Sequence, residues 1–150
     1  EAASLLVRYL GREKFLALLN ERAAAIGMEG AMFSDPIGRT GENTGNLQNL
    51  FVLAKHVSEN RGFLLEISQG KLIDPFYGKP LLGNVSPELN LSSYPDFNGG
   101  TLDGDGALAI FNFEANGAVS QVAVIVAGSP NPTGDIEAIY AWIKERYARE

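Results

Sequence analysis

Ser68-Gln69-Gly70-Lys71 has the spacing of a nucleophilic serine and its base. On a helix, a lysine three residues on faces the hydroxyl and can take its proton. That chemistry places the serine at the start of a helix. Here Phe63 to Ile67 reads as a short helix that Gly70 ends and Asp74-Pro75 follows, so Ser68 reads as a helix C-terminus with a capping glycine. His56 lies beside the apolar stripe of another helix with no Ser or carboxylate placed by local spacing, and reads as a partly buried structural imidazole. Asp103-Gly104-Asp105-Gly106 resembles part of a calcium loop, but no later acidic ligand is in place, and a glycine-rich turn leading into a strand is the better reading. Gly38 to Gly45 follows no apolar strand, so it is not a phosphate loop. Trp142 reads as packing.

Composition narrows the chemistry further. There is no cysteine, hence no disulfide and no thiolate, and a single histidine argues against a zinc site. No metal or cofactor is expected. The net charge is -6, with no basic run to meet a nucleic acid or an anionic membrane. No apolar stretch reaches the ~18 residues that cross a bilayer. The 150 residues are 45% hydrophobic and 20% charged, enough for one domain with a core. The chain opens in mid-helical pattern at Glu1-Ala2-Ala3-Ser4, with no cap and no initiator Met, which predicts that polypeptide is missing upstream.

The elements that would position these residues fall into a helical part (1–69), an irregular connection (70–98) and a strand–hairpin–strand–helix part (99–150). Helices are expected over Ala2–Leu10, with Leu5, Leu6, Tyr9 and Leu10 on one side, and over Arg12–Ile26, with Phe15, Leu18, Leu19, Ala23 and Ile26 on its apolar face. Asn46 is expected to cap a third helix running to about Glu59, and Phe63–Ile67 a fourth. Short strands are expected near Lys71–Ile73 and Pro80–Leu82. Ala107–Glu114 and Val119–Ala127 are expected to pair through Asn116-Gly117, the second strand being buried on both faces because it is almost wholly apolar. Asp135 or Thr133 is expected to cap a last helix that carries Ile136, Ile139, Tyr140, Ile143 and Tyr147 along one side. The fold class is α+β, a helical layer beside an antiparallel sheet.

One stretch adds a functional expectation. Asn20 and Ala23 sit on a helix that runs into Ile26-Gly27-Met28, followed by Ala31-x-Phe33-x-Asp35-Pro36-x-Gly38. This order resembles the penicillin-binding serine D-Ala-D-Ala carboxypeptidases, in which a Leu-Gly-Met-like helix end precedes a Thr-x-Phe-x-Asn-Pro-x-Gly-like loop. Asn49-Leu50 would take the place of the Asp-Leu pair on the helix that follows. The resemblance covers about two thirds of the chain. It implies a partial β-lactamase/DD-peptidase-like fold, a location outside the cytoplasm, and peptidoglycan stem peptides as partner, together with the missing N-terminal part of the same protein.

The family's reaction is acyl transfer through a serine ester, using Ser-x-x-Lys, Ser-x-Asn and Lys-Thr-Gly. Ser58-Glu59-Asn60 and Ser129-Pro130-Asn131 match the second pattern, but a two-letter pattern occurs about once by chance in this length. Arg39-Thr40-Gly41 resembles the third but lies in a loop. By order, the Lys-Thr-Gly position falls at Gly99-Gly100-Thr101-Leu102, with Gly100 in place of Lys and Leu102 in place of Gly, and no Lys lies between Lys79 and Lys144. The resemblance therefore implies Gly99, Gly100 and Thr101 as a substrate-binding strand, with the nucleophile upstream of this chain. Two readings follow: part of an active serine carboxypeptidase-like protein, or a non-catalytic member of that fold that binds cell-wall peptide or a protein partner.

Overall fold

The computed structural model describes residues 2–71, 78, 89, 91, 93–115 and 117–147. They form a mixed α and β structure of five helices and one open, three-stranded antiparallel sheet. The chain divides into two compact units, residues 1–53 and 54–150. The division falls inside the third helix. The strands expected near Lys71–Ile73 and Pro80–Leu82 fall outside the described residues, except Lys71, which is not in a strand.

The first unit holds α1 (Ala2–Leu10), α2 (Arg12–Ala25) and the first half of α3 (Leu47–Asn60). The last turn of α2 closes as its sequence demands. Gly27 takes φ +89, its N–H donates to Ala24 O at 3.0 Å, and the Met28 N–H donates to Ala23 O at 3.0 Å. This paired closure needs the left-handed conformation that glycine adopts at little cost. Ala23 and Met28 are buried there. On α1 the apolar side faces outward: Leu5, Leu6 and Tyr9 are all exposed. α3 opens with a reciprocal cap, in which the Asn49 N–H donates to Asn46 Oδ1 and the Asn46 N–H to Asn49 Oδ1, both at 2.9 Å.

The second unit is built on β1 (Phe97–Asp103), β2 (Gly106–Ala115) and β3 (Ala118–Val126), in that spatial order. β1 and β2 meet through the turn at Gly104-Asp105, with Asp103 opposite Gly106. β2 and β3 pair without interruption from Ala107↔Val126 to Ala115↔Ala118, leaving a two-residue connection in which Gly117 has φ +72. Asn116 lies outside the described residues. The side chains of β2 alternate between two cores. Ala107, Ala109, Phe111 and Phe113 pack with Ile136 and Tyr140 of α5 (Pro132–Tyr147). Ile110 and Leu108 pack with Ala54 and Val57 of α3 and with Leu65 of α4 (Phe63–Ser68).

Helices thus cover both faces of the sheet, and this corrects one expectation. The strand buried on both faces is β2, not β3. β3 lies at the edge, its first four residues exposed and most of the rest half-buried. A second correction concerns α5. Its cap is Asn131, whose Oδ1 accepts from the Gly134 N–H at 3.2 Å, and Pro132 takes the first helical position. Phe111 and Tyr140 stack at the centre, with ring centroids 3.7 Å apart and planes 9° from parallel.

Candidate functional site

In the first unit, the polar residues that carry the family resemblance, Asn20 and Asp35, each bond the backbone of the loop. Asn20 projects from α2 and clasps the loop at Phe33 through both backbone groups. Its Oδ1 accepts from the Phe33 N–H and its Nδ2 donates to Phe33 O, each at 2.8 Å. Two residues on, Asp35 is buried, 5% exposed, and Pro36 bars the chain from continuing as helix. The Asp35 carboxylate accepts backbone N–H groups from Ile37 (3.1 Å), Thr40 (2.9 Å) and Arg39. Those donors, led by Ile37, hold its pKa below the usual carboxylate range against the opposing effect of burial.

Asn43 completes the loop. Its Oδ1 accepts from the Ser34 and Asp35 N–H groups and its Nδ2 donates to Asp35 O. The Met32–Thr44 backbone pair closes the base, with bonds of 2.9 and 2.8 Å. Asn49, 3% exposed, donates from Nδ2 to Glu29 O at 2.9 Å. The loop is a preorganised turn whose polar groups bond one another. Asp35 acts as an acceptor of backbone hydrogens, a structural role that favours the ionised form.

In the second unit, Gly99 and Gly100 lie on β1 against α4. The Gly100 N–H donates to Ser68 Oγ at 3.3 Å, and Ser68 Oγ itself donates to Leu65 O at 2.8 Å. Gly99 has φ +109 and is buried. A Cβ there would stand 2.7 Å from Ser68 Oγ and 3.0 Å from Leu65 O; one at Gly100 would stand 2.3 Å from Leu108 O. Both glycines admit the chain's own atoms. Thr101 opposes Leu108 and is exposed.

The literal motif matches all have structural partners. Ser68 ends α4 and bonds Leu65 and Gly100, as its place before a glycine implies. In Ser129-Pro130-Asn131, Ser129 Oγ donates to Asp135 Oδ2 at 2.5 Å and accepts from the Asn131 N–H at 3.0 Å, so the tripeptide caps α5. In Ser58-Glu59-Asn60, the Ser58 hydroxyl donates to Gln121 Oε1, and Asn60 donates back to His56 O at the end of α3. In Arg39-Thr40-Gly41, the first two N–H groups serve Asp35. Among the described residues, the bonds of these serines run to backbone groups, to Asp135 and to Gln121, not to a lysine or a histidine.

No group of three or more His, Asp or Glu side chains that could hold a metal occurs among the described residues. An open cavity of about 830 Å³ lies between the sheet and the end of α5, lined by Phe113, Val122, Ile143, Arg146 and Tyr147 among others. It brings together apolar side chains, the Ser120 and Tyr147 hydroxyls and the Arg146 guanidinium, with no His, Lys or carboxylate in the lining to serve as a base. No helix is long and apolar enough to cross a membrane among the described residues.

Sequence spacing missed one polar group in the second unit. Asp96, just before β1, accepts from the Tyr140 hydroxyl at 2.5 Å and lies 3.5 Å from Lys144 Nζ. The Tyr140 bond, then the Lys144 charge, draw the Asp96 pKa down, while burial and the Asp96 carboxylate push that of Tyr140 up. Compared with family models, with curated proteins and with solved structures, the chain has no match in any of the three.

Proposed function

We propose that this chain is part of a serine-type D-Ala-D-Ala carboxypeptidase-like protein that acts on peptidoglycan stem peptides outside the cytoplasm. The observation that carries this reading is the cluster of the first unit. The residues resembling the family's pattern, Asn20, Gly27, Phe33, Asp35, Pro36 and Gly38, occur in the family's order, and the polar ones among them bond the loop into one turn. The edge strand, hairpin and C-terminal helix follow in the same order. On this reading the nucleophile and its lysine lie in polypeptide upstream of residue 1. Thr101 would meet the peptide from β1, while Gly99 and Gly100 set the path of the strand beneath α4.

The non-catalytic reading has an observation of its own. Gly100 stands where the family's cation would be, and no Lys lies between Lys79 and Lys144 to replace it. Without that charge a peptide carboxylate would rest on backbone N–H groups and a hydroxyl. Labelling of the longer natural protein with a fluorescent penicillin, followed by peptide mapping, separates the readings. The enzyme reading expects the adduct on a serine outside residues 1–150 and none on this chain alone. An adduct on Ser68 sinks the assignment of the nucleophile. Absence of any adduct, with a D-Ala-D-Ala peptide still bound, favours the non-catalytic form; absence of both removes the family reading.

A further inference from the structure

The chain treats the two edges of its sheet differently. Along β1 the Gly100 N–H is bonded to Ser68, Gly99 is pressed under Leu65, and a register shift falls between Phe97 and Gly100. Covering and irregularity of this kind block extended strand pairing along β1 and leave only the Thr101 end open to a short contact. Among the described residues nothing comparable protects β3. Its nine residues keep unbroken register with β2, and no strand lies on its other side among the described residues. The sequence Ala118 to Val126, AVSQVAVIV, contains no Lys, Arg, Asp, Glu, Pro or Gly, the residues by which proteins blunt an edge. Val119 is 68% exposed, and Val122, Ala123 and Val126 stay half-buried despite the helices on both faces.

We infer that β3 is an interface strand, and that its occupant is β3 of a second copy, paired antiparallel about a two-fold axis to make one continuous sheet. A strand edge offers alternating N–H and C=O groups, and under a two-fold rotation such an edge is its own complement. With no charge on the strand, self-pairing sets no like charges opposite one another, despite a net charge of -6 on each chain. Both apolar layers also continue across the axis. Val122 and Val126 border the core under α5, and Ala123 borders the core under α3 and α4.

Sedimentation velocity over a range of concentrations, with hydrogen exchange on the same samples, tests this. The expected result is a monomer–dimer equilibrium in which the amides of 118–126 gain protection as concentration rises. Val119→Lys combined with Ser120→Lys alters two exposed positions and should weaken the dimer at least about tenfold, with an unchanged far-UV spectrum. A chain that stays monomeric at every concentration overturns the inference, and so does a dimer that the double variant leaves intact. Should the double variant fail to fold, exchange at 118–126 in the parent chain decides alone: protection independent of concentration overturns the inference.

Discussion

The Tyr140 hydroxyl donates to the Asp96 carboxylate across 2.5 Å, joining the middle of α5 to the residue before β1, 44 positions back along the chain. Tyr140 also lies flat on Phe111, so one side chain fills the core with its ring and holds the start of the sheet with its oxygen. Tyr140→Phe keeps the ring and removes the bond. Asp96 retains Lys144 and some water, so the expected loss is about 1–2 kcal/mol in chemical denaturation.

The same pair sets a pH window. The Asp96 pKa is lowered on folding, so its contribution is complete above the unfolded value of about 4 and fades as pH falls through the lower folded value. The Tyr140 pKa is raised, so its contribution is complete below about pH 10 and fades as pH rises toward the higher folded value. Stability measured against pH should show both limbs in the parent chain. Tyr140→Phe should remove the alkaline limb and flatten the acid one. An alkaline limb of unchanged depth in that variant would show that another group causes it.

Asn20→Ala removes both side-chain bonds to the backbone of Phe33. The expected cost is about 2 kcal/mol, close to two ordinary hydrogen bonds left half-buried and unmade. Because the bonds tie loop to helix, limited proteolysis should begin within residues 33–43. Cutting elsewhere first would mean that Asn43 and Asp35 hold the turn unaided.

Asp35→Asn keeps the side chain's size but offers one neutral acceptor oxygen where both carboxylate oxygens take backbone hydrogens, three in all. The Asp35 pKa is lowered, so its stabilisation is present above the ordinary carboxylate value and lost as pH falls through the lower folded one. The variant should melt below the parent at neutral pH and approach it in acid. A gap that is constant with pH would mean that the charge is irrelevant and only the geometry counts.

Local chemistry made much of this fold legible. Gly27 after a periodic helix, Asn46 before one and Asn-Gly between two apolar runs each name a backbone geometry within a few residues, and the structure shows the α2 closure, the α3 cap and the two-residue hairpin. What local pattern does not hold is position in the sheet. Two apolar strands look alike in sequence, yet β2 is central and β3 is an edge, because only β1 on the far side makes the difference. Glycine carries the same ambiguity. Gly99 and Gly100 read as places where a peptide could approach, and the approaching atoms are those of Ser68 and Leu108, contacts that tertiary packing alone supplies. Asp96 was silent for the same reason: its partner is 44 residues away.

Ser68 gives the sharpest separation of structural from catalytic readings. Its hydroxyl donates to Leu65 O and accepts from the Gly100 N–H, so Ser68→Ala leaves the Gly100 donor without its partner on a half-buried strand. The expected loss is about 1 kcal/mol, and exchange at the Gly100 amide should quicken. Ser68→Thr should fare no better, because the space beside Gly99 is already tight at the Oγ. Under the proposed enzyme reading, a structural serine predicts that neither variant changes penicillin labelling of a chain that carries the nucleophile. Loss of labelling in Ser68→Ala with stability unchanged would assign the nucleophile to Ser68 and overturn its role as a strand anchor.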